Sequence, residues 1–313
     1  MGLEQLFTSA FLITWLAASV RLAGPVLLAA LGEIFDELGG ILNIGIEGTI
    51  LFGALTSFLI SFLIGNAWLG ILGAIIVGII SNLFLAWMYI TVRANQVVVG
   101  IIFNLLALGL TSYTFRAVLG TQARPQKATM IETLDIPILS DLPFFGPVFF
   151  SHSIFLYITI ALVFVSGFVL YRTKFGLKLR AVGEHPRAAD TAGINVMKMR
   201  YIGVMISGAA ASLAGAYLVL GQLGIFRDNI VSGRGFIALA IVIFGRWNPY
   251  KAALAALVFG AADALQLSLQ IFAFKIPPQV LLSLPYFLTI LAMSGLMGKA
   301  VQPAALLKPY NKN

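Results

Sequence analysis

The sequence contains no cysteine and only two histidines, His152 and His185. The first absence excludes disulfides, thiolate metal sites and cysteine nucleophiles. Charge is also sparse: 10% of residues are Asp, Glu, Lys or Arg, where a soluble domain carries about 25%. A chain so poor in charge cannot cover itself with enough polar surface to dissolve as a monomer. No Gly-rich loop ends in Gly-Lys-Ser/Thr, so a phosphate-cradling loop for ATP is missing. No Asp/Glu pair recurs at a catalytic spacing, which argues against a membrane enzyme. The first residues, "MGLEQLFTSAFLITWLAASV", have no basic n-region and Glu4 is their first charge. A cleavable signal is therefore not expected, and the first spanning helix serves for insertion.

What the chain has instead is apolar length. Its 313 residues are 60% hydrophobic, with a mean hydropathy of +0.98. Several runs reach the roughly 20 residues a helix needs to cross a bilayer. They do not alternate as barrel strands do. The expected fold is an all-α polytopic membrane protein, one transmembrane domain over 1–313. About nine spans are expected, at 7–31, 44–64, 67–91, 96–117, 152–171, 201–222, 235–247, 251–272 and 282–298.

Orientation follows from "RTKFGLKLRAVGEHPRAADTAGINVMKMR", residues 172–200, where seven Lys and Arg face only Glu184 and Asp190. Such a bias marks a cytoplasmic segment. Counting outward places Arg93, Arg246, Lys251 and the tail with Lys308 inside. The N-terminus and the 118–151 loop fall outside. The formal charge of +8 then reads as a topology signal rather than a nucleic-acid footprint. The two histidines stand on opposite sides and cannot form a catalytic or metal pair. In the outer loop, "LPFFGPVFF" reads as a packed loop or an interfacial wedge.

Polar residues inside the apolar runs are costly and are functional candidates. "GILNIGIEG", residues 40–48, sets Asn43 and Glu47 among glycines that let a helix break. Irregular backbone at that depth must be buried in protein or face a wet cavity. Asn43 and Glu47 either touch a pathway or hold the broken helix in place. Arg21 is the nominated partner of Glu47, unless it snorkels to the interface. Asp263 shares a helical face with Gln266 and Gln270. Gln96 and Asn104 share another face, with Gly100 between them; they either line a path or join helices. Asn95 suits a helix cap. In "SGRGFIAL", Arg234 and Phe236 follow Gly233, at the start of a helix whose N–H groups could face a pathway. "ISGAAASLAGAYLVLG" offers small residues for close helix packing.

Within the cytoplasmic stretch, Pro186 fits the first turn of a short helix and Gly193 its left-handed end. Arg187 and Asp190 lie at i,i+3. Ala188, Ala189 and Ala192 offer a small-residue face, and Glu184 precedes them. This is either a docking helix or an ordinary basic loop. The stretch "GLKLRAVGEHPRAADTAGINV" resembles the coupling-helix region of ABC importer permeases, in the group with branched-chain amino acid, simple sugar and nucleoside members. "NIGIEGTILFGA", "RANQVVVGIIFNLLALGLTSY" and "GRGFIALAIVIFGRWNP" resemble, in order, further segments of the nucleoside-type members. The likeness covers about residues 20–300. It departs at "GEIFDELGG", where a basic residue near Leu38 is expected.

The resemblance implies a permease subunit in a bacterial-type cell (inner) membrane. It binds no cofactor itself, and ATP is used by partner ATPase subunits. A second permease and a solute-binding lipoprotein or periplasmic binding protein complete the system. Asn43, Glu47, Gln96, Asn104, Arg234, Phe236 and Asp263 are its pathway candidates. Glu184, Pro186, Arg187, Ala188, Ala189, Asp190 and Gly193 are its coupling candidates. Nucleosides are the expected cargo, with sugars or branched-chain amino acids as alternatives. An ion-coupled carrier using Glu47 or Asp263 is the reading from another class. It has no need of the 172–200 segment.

Overall fold

The structure is a computed structural model that describes residues 8–120, 126–271, 280, 283, 287 and 301–311. Ten α-helices carry the fold among the described residues: α1 (Ser9–Leu38), α2 (Ile46–Ile64), α3 (Ala67–Ala86), α4 (Gln96–Leu119), α5 (Ile154–Arg172), α6 (Lys174–Glu184), α7 (Pro186–Thr191), α8 (Val196–Leu218), α9 (Arg234–Phe244) and α10 (Pro249–Ile271). A π-helical turn extends α3 to Thr91 and another extends α8 to Leu223. Seven of the helices are long and apolar enough to cross a membrane. They correspond to seven of the nine expected spans, and the span expected at 235–247 is the shorter α9. The ninth, 282–298, lies almost wholly outside the described residues.

Side-chain caps set several helix starts. Asn66 accepts from the N–H groups of Trp68 and Leu69, Asn95 from Val97 and Val98, and Asn195 from Lys198. Each satisfies donors that the first turn leaves open. α1 has 30 residues, about 45 Å of helix, against a hydrocarbon core about 30 Å thick. α9 has 11 residues, about 16 Å, and covers only half that thickness.

At the centre stands α8, packed on α1, α2 and α3. Its small residues permit this. A Cβ on Gly53 of α2 would collide with the Ser212 backbone, and one on Gly208 would collide with the Gly78 carbonyl of α3. These helices touch backbone to backbone. α1 packs lengthwise on α10, and Gly260 of α10 lies against the Ser19 carbonyl.

The loop between α4 and α5 carries a small hairpin. β1 (Thr133–Asp135) pairs antiparallel with β2 (Ser151–Ser153), with Leu134 opposite His152. Between them "GPVFF" makes a π-helical turn. Phe144, Phe145 and Phe149 are exposed there. At the opposite end of the bundle, α6 and α7 form a short platform below α5 and α8.

Candidate functional site

The helix break at 39–45 is held by backbone bonds to the last turn of α1, Gly40 N–H to the Glu37 carbonyl at 2.9 Å and Ile41 N–H to the Asp36 carbonyl at 3.2 Å, and by side chains of α1 and α4. α1 stops at Gly39, and Gly40 takes φ +89°, a left-handed conformation suited to glycine. The Leu42 N–H donates to Gln96 Oε1 at 2.9 Å. The Asn43 N–H donates to Glu33 Oε1 at 2.9 Å. Asn104 works in both directions: its Oδ1 accepts from Gly48 N–H at 2.8 Å and its Nδ2 donates to the Ile44 carbonyl at 2.8 Å. Gly100 lies against Ile44 and Gly45. Gln96, Gly100 and Asn104 thus share one face, as their spacing predicts, and that face clasps the break.

Beneath it runs a chain of buried amides and hydroxyls. Asn43 Nδ2 donates to Asn82 Oδ1 at 2.7 Å, and Asn82 Nδ2 donates to Thr49 Oγ1 at 2.8 Å. The Ser207 hydroxyl donates to Glu33 Oε2 at 3.0 Å. Asn43, Asn82, Thr49, Ser207 and Glu33 are all fully buried. In a low-dielectric interior such a network is costly when broken.

Glu47 is the second residue of α2 and crosses to α9. Its carboxylate accepts from the Gly233 N–H at 2.7 Å and the Gly235 N–H at 2.6 Å. These are orphan donors of the α9 start, and a negative charge there also meets the positive end of the helix dipole. Gly233 has φ +86°, and a Cβ at Gly235 would strike the Glu47 backbone. Both glycines of "GRG" are therefore required by geometry. The expected Arg21–Glu47 pair does not form. Glu47 is satisfied by backbone N–H groups, and Arg21 lies elsewhere, in a cavity of about 430 Å³ with Thr14, His152, Tyr217 and Gln222. There the Arg21 carbonyl accepts from Gln222 Nε2 at 2.7 Å.

Arg234 turns back on its own helix start and donates to the Ile230 and Val231 carbonyls at 3.3 and 3.1 Å. Across a cleft of about 20 Å³, room for one water, it faces Asp263, with Leu22, Val26 and Phe259 alongside. Phe236 points outward and is 48% exposed. The Asp263 face is mixed: Gln266 is buried while Gln270 is exposed.

Three acids near the end of α1 gather more than their sequence positions suggested. Glu33, Asp36 and Glu37 are all buried. Glu37 Oε2 accepts from the Trp247 indole at 2.6 Å. Arg200, also buried, approaches Asp36 and donates from Nε to the Gly39 carbonyl at 3.1 Å. The positive charge expected near Leu38 is thus supplied in space, by α8. Sequence reading counted Arg200 only as a topology signal and did not single out Asn82, Ser207 or Trp247. The i, i+3, i+4 spacing of the three acids within an apolar run was the available clue.

At the platform, Pro186 opens α7 and Gly193 ends it at φ +79°. Arg187, Ala188, Ala192 and Glu184 are exposed. Ala189 is not part of that outer face: it is 4% exposed and belongs to the core. A six-residue helix shows only part of its circumference, and Ala189 occupies the inward part. Asp190 is hydrogen-bonded to the Tyr310 hydroxyl of the tail.

Together these features define a polytopic helical membrane protein whose breaks after α1 and before α9 are clasped by amides and a carboxylate. Residues 15–293 match the family described as branched-chain amino acid transport system / permease component, and the chain belongs to that family. It is similar to the guanosine ABC transporter permease protein NupQ of Bacillus subtilis (strain 168), 43% identical over 94% of this chain and 95% of the relative. It is also similar to the putative glucose ABC transporter permease protein TsgC13 of Haloferax volcanii, 35% identical over 95% and 97%. The nucleoside ABC transporter permease protein NupC of Lactococcus lactis is 36% identical over 90% and 91%. No solved structure matches the chain. The chain is an ABC transporter permease, as its motifs imply.

Proposed function

We propose that this chain is one of two permease subunits through which an ATP-driven importer passes nucleosides or related small, uncharged, hydrogen-bonding solutes. The observation that carries the cargo is the 43% identity, over nearly the whole of both chains, to a permease named for guanosine. In this reading separate ATPase subunits hydrolyse ATP against the α6–α7 platform, through Glu184, Pro186, Arg187, Ala188, Asp190 and Gly193. A solute-binding lipoprotein or periplasmic binding protein delivers cargo at the β1–β2 end. The chain sits in the cell (inner) membrane with the platform in the cytoplasm, which the basic surplus of 172–200 supports.

Asn43, Glu47, Gln96 and Asn104 serve the pathway as its frame, because their polar groups are engaged with backbone and neighbouring amides. Arg234, Phe236 and Asp263 are the candidates for facing solute. The 35% identity to a permease named for glucose supports a second reading, sugar uptake. The test is uptake of labelled guanosine by cells carrying the whole transporter, with excess unlabelled nucleosides or sugars as competitors. Uptake blocked by nucleosides and by ATP depletion, but surviving collapse of ion gradients, is the expected result. Uptake of labelled glucose with none of guanosine selects the second reading, and loss of uptake with the ion gradients overturns the ATP-driven mechanism.

A further inference from the structure

We propose that the C-terminal tail, residues 301–311, and α7 together form a single groove that receives an acidic segment of the ATPase subunit. This rests on the reading of α7 as the ATPase contact and adds a second wall to it.

The tail is built into the platform. The Ala305 N–H donates to the Gly183 carbonyl at 2.8 Å, and the Ala304 N–H to Glu184 Oε2 at 3.4 Å. Pro303, Ala305 and Leu306 are buried. The Lys308 carbonyl accepts from a terminal nitrogen of Arg200 at 3.1 Å, and the Tyr310 hydroxyl bonds Asp190. A tail held at α6, α7 and α8 keeps a defined shape. Between it and α7 runs a groove of about 580 Å³, with Glu184, Arg187 and Ala188 on one wall and Ala304, Lys308 and Tyr310 on the other. That size falls in the range of roughly 300–1,000 Å³ typical of binding pockets.

Charge selects the occupant. Arg187 and Lys308 are the exposed cations of the groove itself, and Lys174 and Lys178 are exposed on the neighbouring α6. Glu184 is exposed among them, and Asp190 is engaged by Tyr310. The surplus is positive, so the complementary surface is acidic. The apolar floor from Ala188, Ala304 and Pro309 suits an apolar side chain seated among those acids. Arg200 binds both the tail at Lys308 and the helix break at Gly39. A partner seated in the groove therefore bears on the same guanidinium that holds the end of α1.

The experiment measures binding of the purified ATPase subunit to the intact permease pair in phosphatidylcholine nanodiscs, with salt varied. Ala188→Trp fills one wall; Lys308→Glu reverses the other. The Lys308 side chain is exposed and only its carbonyl meets Arg200, so neither Lys308→Glu nor the conservative Lys308→Arg removes a buried contact. Lys198→Glu makes the same charge change outside the groove. Wild-type binding should weaken with salt. Ala188→Trp and Lys308→Glu should each weaken it about tenfold or more, as a central interface residue does, while Lys308→Arg and Lys198→Glu stay within about twofold. If Ala188→Trp weakens binding and Lys308→Glu does not, the tail has no part and only the α7 reading survives. If neither acts, both fall. An equal loss with Lys198→Glu means diffuse attraction and overturns the groove. Should Lys308→Glu reduce only attachment to vesicles containing anionic phosphatidylglycerol, the tail faces lipid and the proposal is refuted.

Discussion

Glu47→Gln isolates the link between the two helix breaks. The substitution keeps shape and removes charge. The carboxylate presents two acceptors to the Gly233 and Gly235 N–H groups at 2.7 and 2.6 Å. A glutamine presents one oxygen and one NH₂, so one N–H must face another donor. A hydrogen bond to a charged group contributes about 1.5–3 kcal/mol, and an unpaired buried N–H costs about 1–3 kcal/mol. Glu47 is half-buried, so the unpaired N–H gains some hydration and the lower end applies. The expected loss is about 2 kcal/mol, roughly a thirtyfold shift towards states with the α9 start released. Hydrogen–deuterium exchange of purified protein in detergent reads this directly. The Gly233 and Gly235 amides should lose about thirtyfold of protection while the α2–α8 contact at Gly53 keeps its own. Solute uptake should fall at unchanged abundance or with reduced abundance. Unchanged protection at Gly233 and Gly235 would refute the clasp, whatever happens to uptake.

Other positions make sharper or opposite demands. Asn104→Ala removes both bonds to the break; at about 1 kcal/mol each it should lower the yield of folded protein by size-exclusion chromatography more than Asn95→Ala, which removes an exposed cap. Gly40→Ala should destabilise more than Gly65→Ala in a thermal melt. Both have positive φ, but a Cβ at Gly40 also meets Arg200 and Ala305 while one at Gly65 meets nothing. Ala189→Leu should reduce folded yield because Ala189 is buried, whereas Ala192→Leu, on the exposed side, should spare yield and weaken ATPase stimulation by cargo. His152 is held below the ordinary histidine range by burial, against a raising effect from its bond to the Val148 carbonyl. The folded state binds the proton less readily than the unfolded one, so stability falls as pH drops below about 6.5 and levels off below the folded value. Proteolysis of the β1–β2 loop should accelerate between neutral and mildly acidic pH, and His152→Gln should flatten that profile.

Much of the scaffold was legible because hydropathy over about 20 residues is a strong signal. Even α9, too short to span, was marked by the glycines before it and "GRWNP" after it. The faces were harder. In α2 and α4 apolar residues surround the helix, so periodicity does not distinguish lipid from protein, and only Gln96, Gly100 and Asn104 revealed a side. Glu47 was paired with the wrong partner because sequence reading looks for an opposite charge. Its actual partners are backbone N–H groups 186 and 188 residues away, which no residue type announces. The burial of Arg200 went unread for the converse reason: composition records a charge and is silent on burial. Ala188 and Ala189 are neighbours with opposite exposure, and a six-residue helix gives too little repeat to tell them apart.

The direct backbone contacts of Gly53 with Ser212 and of Gly78 with Gly208 have a mechanical meaning. Where side chains separate helices, rotamers can change and one helix can slide past another. Here that deformable layer is missing, so α2, α3 and α8 travel as one rigid block. Any change of shape that opens or closes this protein must then be taken up at the block's margins, where single amides and one carboxylate form the joints.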